Sequence, residues 1–296
     1  MNDHFEEHRR LLFAAAYRML GSVADAEDIV QDAWLAWNRA DRTAVEHPRA
    51  YLVRTVTNLS LNRLRSAQAV REAYVGPWLP EPLLTSPDIA EEAELTDTVS
   101  MAVLVVLETL TPTERAVFML REVFGYPYAE IAEVVGKSEA NVRQCAHRAR
   151  EHVQARRPRF TAGAAEQREI AEKFRAACAG GDLGEVLELL APDVVSWADG
   201  GGVVTAARRP VHGADHVARW WLGVLAKPQA AEGEMRVAEI NGEPGLLFIL
   251  DGVNIGAMTF EAVDGRITAL RIIVNPEKLR GIRPRPCGRA WCRARG

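Results

Sequence analysis

Four prolines within twelve residues interrupt this chain and limit its fold more than any other feature. Residues 76–87, GPWLPEPLLTSP, contain Pro77, Pro80, Pro82 and Pro87, and neither a helix interior nor a central strand tolerates that density of proline. The segment is therefore a linker between folded parts. Because it also carries a tryptophan and three leucines, we expect it to dock on a protein surface.

Hydrophobic periodicity changes along the chain. Residues 4–71 and 89–154 repeat apolar residues at helical spacing, and residues 156–165 form a second boundary. After residue 166 the pattern becomes that of an α+β domain. In a chain of 296 residues this predicts a multidomain protein. The predicted domains are 1–72, 100–157 and 166–280, with linkers at 73–99 and 158–165 and a basic, disordered tail at 281–296.

The last domain combines helical segments with short β-type runs. Glycine-bearing turns such as Asn241-Gly242 and Asp264-Gly265 separate several of these runs and predict hairpins. The predicted helices are 166–179, 183–190 and 215–225, and the predicted strands are 194–197, 203–207, 235–240, 246–250, 257–263 and 267–274.

Composition excludes several classes of protein. The 48% hydrophobic and 26% charged fractions are those of an ordinary globular chain. No apolar run approaches the ~20 residues that span a bilayer, and the charged start MNDHFEEHRR lacks an apolar leader. The four cysteines form no disulfide framework, and Cys287 and Cys292 lack a second pair for zinc. We expect a cytoplasmic protein with no membrane, metal or cofactor.

The net charge of −4 hides a strong asymmetry. Residues 81–98 carry six acids and no base, whereas residues 137–159 carry seven bases against two acids. Clustered bases favour a polyanion partner even in a chain that is acidic on average.

Residues 128–153, YAEIAEVVGKSEANVRQCAHRAREHV, have the spacing of a helix-turn-helix. Ala132 is small where the two helices touch, Gly136 suits the turn, and Val142 seats the second helix. Ser138 is a good N-cap for that helix. Its inner face is predicted from Val142, Cys145, Ala146, Ala149 and Val153, and its outer face from Asn141, Arg143, Gln144, His147, Arg148 and Arg150. Amides that read base edges and guanidiniums that bind phosphate or guanine favour DNA binding over a helical hairpin with a plain basic surface.

A second unusual segment is the acidic stripe of residues 25–37, DAEDIVQDAWLAW. Asp25, Asp28 and Asp32 recur at three- and four-residue spacing, which destabilises an isolated helix and hints at a basic partner. On spacing alone, a plain solvated helix face is the better interpretation. The opposite face, predicted to be buried, consists of Ile29, Val30, Ala33, Trp34 and Trp37. A helix from about residue 49 carries exposed arginines and asparagines, a second candidate nucleic-acid face.

These segments together resemble an extracytoplasmic-function RNA polymerase sigma factor of the sigma-70 family, over roughly residues 5–70 and 100–157. In that family the first helical domain binds the polymerase clamp and opens the −10 promoter element, and the second binds the −35 element. The resemblance implies a bacterial sigma factor that directs core polymerase to promoters. The acidic stripe would then meet the coiled-coil clamp helices of the largest polymerase subunit.

The resemblance also implies roles for individual residues. The loop 38–47 would hold an extruded −10 base. Core polymerase would contact Asp25, Asp28, Gln31 and Asp32; the −10 DNA would contact Arg49, Arg54, Asn58, Asn62 and Arg65; and the −35 DNA would contact Asn141, Arg143, Gln144, His147 and Arg148.

Two features resemble the SigJ-type subgroup of that family, whose C-terminal extension is a SnoaL-like domain of the NTF2 superfamily. They are the linker motif WLPEP at 78–82 and the long extension itself, which the resemblance predicts to be a curved antiparallel sheet packed on helices. The subgroup motif Asp-Gly-Gly-Gly-Lys occurs with Val203 in place of its lysine. The residues implied in interdomain control are Trp78, Pro80, Asp199, Gly200, Gly201, Gly202, Asn275, Pro276 and Lys278.

The extension has two candidate roles. NTF2-like relatives include enzymes with an acid–base pair, for which the candidates are Asp199, His212, Asp215, His216 and Asp251. The favoured role is regulation in cis, because a tethered domain acts at high effective concentration and a small ligand in its pocket could shift the balance. The alternatives are a SnoaL-like enzyme addressed to DNA by an accessory helix-turn-helix, and a simple repressor.

Overall fold

The structure is a computed structural model that describes residues 4–85, 100–156, 163–227 and 232–282. These residues form two compact units. The helical unit contains residues 4–74 and 100–156, and the α+β unit contains residues 75–85 together with everything described from residue 163 onward. Residues 75–85, called the strap below, thus join the second unit although they lie between the two helical segments of the first.

Three helices build the first half of the helical unit: α1 (His4–Leu20), α2 (Val23–Arg39) and α3 (Pro48–Glu72). Helix α2 begins where the Ser22 hydroxyl accepts a hydrogen bond from the Asp25 backbone N–H, at 3.2 Å. The core among these three helices contains Tyr17, Trp37 and Leu52. The prediction that Trp34 is buried is wrong, because this side chain is 42% exposed.

Four further helices build the second half: α4 (Met101–Glu108), α5 (Pro112–Phe118), α6 (Tyr128–Val135) and α7 (Glu139–Arg156). A capping box between Thr111 and Glu114 starts α5, and a π-helical segment (Met119–Val123) follows it. Gly136 ends α6 with φ of 67°, a left-handed conformation that glycine adopts without a Cβ clash. The helix-turn-helix prediction is therefore confirmed.

A buried polar network joins the two halves of the helical unit. Arg115 of α5 donates to the carbonyl oxygen of Met19 at 2.7 Å and to the Glu108 carboxylate at 2.5 Å. Arg71 of α3 pairs with the same carboxylate and donates to the carbonyl oxygen of Leu20 at 2.5 Å. The two arginines thereby satisfy carbonyl groups at the C-terminus of α1, where cations are favoured. Burial lowers the pKa of Arg71.

The α+β unit contains α8 (Ala164–Gly180), α9 (Leu183–Leu189) and α10 (Ala214–Leu225). Its six-stranded sheet has the order β2-β1-β6-β5-β4-β3. The strands are β1 (Leu190–Asp199), β2 (Val211–His212), β3 (Glu234–Ile240), β4 (Glu243–Leu250), β5 (Val253–Val263) and β6 (Arg266–Ile273). This arrangement confirms the α+β class predicted for the third domain.

Two details of the predicted sheet are wrong. Residues 203–207 form turns and coil instead of a strand, since the glycine loop before them folds back on itself. The sheet is mixed and not antiparallel throughout, because β1 pairs with β6 in parallel. Parallel neighbours need a long connection, and here β2, α10, β3, β4 and β5 lie between β1 and β6 in the chain.

The helices cover one face of the sheet with a continuous apolar core. Phe174, Val186, Trp221 and Phe260 lie in it. The Trp221 indole N–H lies 3.2 Å from the Cys178 sulfur, and burial raises the pKa of that thiol to about 12. Cys178 is therefore a core residue in this unit.

Candidate functional site

The acidic stripe lies on α2 and is largely open to solvent. Asp28, Gln31 and Asp32 are exposed, whereas the Asp25 carboxylate accepts a hydrogen bond from Arg63 Nε of α3 at 2.9 Å. Leu35 is 38% exposed and follows Asp28 and Asp32 on the same side of the helix. The sequence pattern missed this exposed apolar residue and Trp34, which add hydrophobic area to an acidic surface.

Helix α3 presents the residues predicted to contact −10 DNA. Arg49, Asn62 and Arg65 are exposed, and Asn58 is half-buried. Arg54 forms an ion pair at 3.2 Å with Glu133 of α6, the first helix of the helix-turn-helix. The first turns of α3 thus lie against the second half of the same unit. In the loop 38–47, the Asp41 carboxylate accepts hydrogen bonds from Thr43, which lowers the pKa of Asp41.

Helix α7 separates an inner apolar face from an outer polar face. The predicted inner residues Val142, Cys145, Ala146 and Ala149 are buried, and Val153 is half-buried. The residues predicted to meet −35 DNA, which are Asn141, Arg143, Gln144, His147 and Arg148, are all exposed. The structure therefore gathers that predicted set on one surface.

Several of these side chains have acidic neighbours. Arg143 Nε lies 3.1 Å from the Glu139 carboxylate, Arg148 Nε lies 3.4 Å from that of Glu114, and His147 lies 3.5 Å from that of Glu151. The carboxylates orient these bases and partly neutralise them.

An arginine cluster around Tyr128, at the start of α6, was not predicted. The guanidinium carbons of Arg121 and Arg143 lie 4.5 Å and 5.0 Å from the centre of the Tyr128 ring. Arg150 pairs with Glu122 at 2.6 Å, and hydrogen bonds with Glu122 and Tyr128 raise the pKa of Arg150. Cation–π contacts of this kind have no sequence spacing of their own, since the residues come from three helical segments.

In the α+β unit a buried ion pair anchors the strap. Lys278 Nζ lies 2.7 Å from the Asp199 carboxylate, and their side chains are 7% and 0% exposed. The Leu79 backbone N–H donates to the same carboxylate at 2.8 Å, and its carbonyl accepts from Lys278. The Lys278 ammonium also lies 3.9 Å from the centre of the Trp78 ring. Asp199 and Lys278 thus bind the backbone N–H and the backbone carbonyl of the same strap residue, Leu79.

The turn 275–278 presents Lys278 to this carboxylate. The Asn275 backbone N–H donates to the Asp199 carbonyl at 3.0 Å, and the Asn275 side chain accepts from the Glu277 N–H at 3.0 Å. The Lys278 N–H closes the turn on the Asn275 carbonyl, and Pro276 lies within it. The two motifs at residues 199 and 275–279 therefore form one site.

The glycine loop that follows Asp199 requires the absence of side chains. A Cβ on Gly200 would lie 2.3 Å from the Val204 carbonyl oxygen, and one on Gly202, whose φ is 74°, would lie 3.1 Å from Val75 of the strap. Gly201 also has positive φ, and its N–H donates to the Asp199 carboxylate at 3.1 Å. Val203, in place of the motif lysine, is 68% exposed, and the cation beside Asp199 is Lys278.

The far end of the strap pairs with the end of β3. Leu83 and Asn241 exchange hydrogen bonds, the Thr85 N–H donates to the Glu239 carbonyl at 3.0 Å, and Leu84 bridges to Ile240. Between the two attachment points Pro80 is buried. A cavity of about 150 Å³ lies between the start of the strap, at Val75 and Gly76, and the loop 200–208.

The residues considered for acid–base chemistry do not converge on one pocket among the described residues. Asp199 belongs to the strap anchor, and Asp215 pairs at the surface with Arg219, whose hydrogen bond lowers the pKa of Asp215. Asp251 lies in an exposed turn, and His216 Nδ1 lies 3.3 Å from the His212 carbonyl oxygen. Each group therefore has a structural or surface setting of its own.

Comparison with known proteins identifies the two helical segments. A model of sigma-70 region 2 matches residues 4–70, and a model of sigma-70 region 4 matches residues 100–153. The ECF RNA polymerase sigma factor SigJ of Mycobacterium tuberculosis is 41% identical over 305 residues, which cover 97% of each chain. The probable ECF RNA polymerase sigma factor SigI of the same species is 33% identical over 280 residues, 93% of each chain.

A solved structure resembles the chain over most of its length. The crystal structure of Mycobacterium tuberculosis SigJ aligns with a TM-score of 0.75 at 38% identity, and it covers 94% of this chain and 98% of that one. The chain therefore belongs to the extracytoplasmic-function RNA polymerase sigma factors. Members of this family act in transcription initiation and are not enzymes. The predicted order, two helical sigma domains followed by an α+β domain, is confirmed.

Two further predictions concern other parts of the chain. The tail that was predicted to be disordered and the pair Cys287 and Cys292 lie outside the described residues. Within the described ranges, every helix is too short or too polar to cross a bilayer.

Proposed function

We propose that this chain is a cytoplasmic sigma factor that brings core RNA polymerase to specific promoters and that its α+β domain controls this activity in cis. The observation that carries the second half of the proposal is the strap anchor. The strap joins the two helical segments that match sigma regions 2 and 4, yet it folds with the α+β unit. A domain that binds this connection can change how the two sigma domains reach their targets.

The acidic stripe is the proposed surface for core polymerase. Exposed Asp28, Gln31 and Asp32 offer negative charge to the clamp helices, and exposed Leu35 offers apolar area beside them. Asp25 contributes from the edge, where Arg63 holds it. An interface of apolar anchors with charged surroundings gains affinity from burial and partner selectivity from charge.

The two DNA surfaces divide the promoter between them. Exposed Arg49, Arg54, Asn62 and Arg65 of α3, together with half-buried Asn58, would track the −10 strand. The outer face of α7 would enter the −35 duplex, since the second helix of a helix-turn-helix lies in the major groove. Its amide groups on Asn141 and Gln144 can form bidentate contacts with adenine, while Arg143, His147 and Arg148 supply positive charge.

Control in cis acts through attachment of the strap. Its anchor combines buried charge with apolar contacts from Leu79, which is 2% exposed. A buried ion pair contributes little net stability compared with an apolar pair, because its desolvation cost offsets its attraction. Release of the strap leaves this pair intact, because both charged side chains belong to the α+β unit, and at the anchor it breaks the hydrogen bonds and apolar contacts of Trp78 and Leu79. A small ligand of the NTF2-like domain, with the cavity beside Val75 as its candidate site, would bias the same equilibrium.

Run-off transcription with purified core polymerase tests the first half of the proposal. Residues 1–296 should give a transcript on the chain's own upstream DNA, and the double variant Asp28→Ala with Asp32→Ala should lose both the transcript and core binding. Tight binding of promoter duplex by the free protein, without any transcript, would indicate a repressor and contradict the proposal.

A charge-neutral replacement of the anchor tests the second half. Asp199→Asn with Lys278→Met removes both buried charges together and should change the transcript yield several-fold relative to the wild type, in the same direction as truncation to residues 1–165. The matched control is Glu169→Gln with Lys173→Met, an exposed pair at 2.7 Å in the same unit, which should leave the yield unchanged. An unchanged yield in the anchor variant would refute control through the strap.

A further inference from the structure

Two cations with different surroundings contact the Tyr128 ring, Arg121 of the π-helical segment and Arg143 of α7. The Arg121 guanidinium donates a hydrogen bond to the Tyr126 carbonyl at 2.9 Å and lies over the Tyr128 ring, so its position is fixed by the protein itself. Arg143 projects from α7 with 62% of its side chain exposed, and its guanidinium contacts the same ring. Tyr128 is therefore fixed by the body of the domain and touches an arginine of the exposed face.

Two contacts restrict the Arg143 side chain. The Glu139 carboxylate, one turn earlier on α7, lies 3.1 Å from Arg143 Nε, and the Tyr128 ring lies 5.0 Å from its guanidinium carbon. An exposed arginine otherwise samples many rotamers and loses that freedom when it binds. Preorganisation in one orientation removes much of this loss from the binding step.

The charge around Arg143 favours a base over a phosphate as its partner. Glu139 places a negative charge beside the guanidinium, which weakens attraction to an anionic phosphate but leaves N–H donors for neutral acceptors. Arg143 also lies near the N-terminal end of α7, the part of a recognition helix that contacts base edges. The neutral acceptors that fit a guanidinium fork are O6 and N7 of guanine.

We propose that Tyr128 is a positioning residue that holds Arg143 in the orientation needed to read a guanine of the −35 duplex. The inference rests on the proposed −35 role of α7 and extends it to a residue outside the recognition helix. Glu139 supports the same orientation from within the helix. Arg150, farther along α7, pairs with Glu122 at 2.6 Å and also forms a hydrogen bond with Tyr128.

The test uses the full chain with core polymerase on a promoter library in which the −35 element is randomised. Sequencing the transcripts gives the base preference at each −35 position. Arg143→Ala should remove the preference for guanine at one position. Tyr128→Leu should lower that same preference by about five- to tenfold, within the range of one bidentate contact, and should leave the other positions unchanged.

Two further variants separate orientation from folding. Tyr128→Phe keeps the ring face and should retain the wild-type profile. Tyr126→Leu replaces another half-buried tyrosine, two residues away, and should also leave the profile unchanged. If Tyr128→Leu flattened every position equally, or if Tyr128→Phe lost the guanine preference as well, the proposed role of the ring would be wrong.

The same data distinguish this inference from the function on which it rests. A guanine preference lost in Arg143→Ala but kept in Tyr128→Leu overturns the positioning role and leaves the −35 assignment in place. If Arg143→Ala changes no position, the assignment of Arg143 to the −35 duplex fails and the positioning role fails with it.

Discussion

The two units of this protein both bury charge, but they arrange it differently. In the helical unit the Glu108 carboxylate is shared by Arg71 and Arg115, and both arginines also bind carbonyls at the end of α1. In the α+β unit the Asp199 carboxylate, which is 0% exposed, faces Lys278 and two backbone N–H groups. The first network joins helices, whereas the second holds a single extended segment.

This difference predicts that the two charge networks respond differently when one charged side chain is removed. A network of three charges keeps a partner for Glu108 when either arginine is removed. A buried carboxylate that loses its ammonium retains neutral donors, which stabilise an anion less than a full charge does. The helical unit should therefore be robust to single substitutions, and the strap anchor should be sensitive to them. That sensitivity suits an attachment that must respond to a signal.

The largest effect is expected from Lys278→Met. It leaves Asp199 buried without this cation, and breaking a buried pair costs about 3–5 kcal/mol. The measurement is urea unfolding followed by a pulse of alkylation, read by mass spectrometry at Cys178, which is buried in the α+β unit. The Cys178 transition should shift to lower urea, while that of Cys145, buried in the helical unit, should not. The double variant Asp199→Asn with Lys278→Met should recover much of the loss, and an unaffected Cys178 transition in the single variant would contradict the comparison.

A smaller effect is expected from Arg115→Met in the helical unit. The substitution leaves the Met19 carbonyl without this donor, but Glu108 still pairs with Arg71. We expect a loss of about 2 kcal/mol, the cost of an unsatisfied buried group together with one charged hydrogen bond. The Cys145 transition should report it and the Cys178 transition should not. A loss larger than that of Lys278→Met would mean that the shared network is less robust than the single pair.

The sequence predicted most of the architecture because each helical domain has a local signature. Gly136, Val142 and the acidic spacing of α2 lie within short segments whose periodicity is visible without the fold. The errors have a different origin. Helical spacing places Trp34 on the same face as Val30 and Trp37 and so predicts burial, and the β-branched residues of 203–207 predict a strand despite the preceding glycines.

Contacts between residues far apart in the sequence could not be predicted from local sequence patterns. Lys278 lies 79 positions after Asp199 and 199 positions after Leu79, so no periodicity connects them. The motif resemblance marked these residues as important but did not pair them. The Arg115 network and the Tyr128 cluster were missed for the same reason, because tertiary packing brings their members together. Only the fold defines such sites.

The smallest expected effect is a pH dependence of the stability of the α+β unit. Partly buried Glu243 of β4 has its pKa raised from 4.5 to about 7 by burial and by nearby Glu261, with Arg271 acting in the opposite direction. The folded state therefore holds a proton that the unfolded chain releases above about pH 4.5, so the unfolding free energy of this unit should fall as pH rises from 4.5 to 7. Glu243→Gln mimics the protonated form and should be more stable than the wild type by roughly 1–2 kcal/mol at pH 8, with no difference near pH 4.5.

Urea transitions at Cys178, calibrated at each pH against the fully unfolded chain, measure this difference in stability, and Glu234→Gln at an exposed position is the control. Equal pH dependence in Glu243→Gln and the wild type would show that this unit tolerates an additional buried carboxylate, and its sensitivity would then belong to the strap anchor alone.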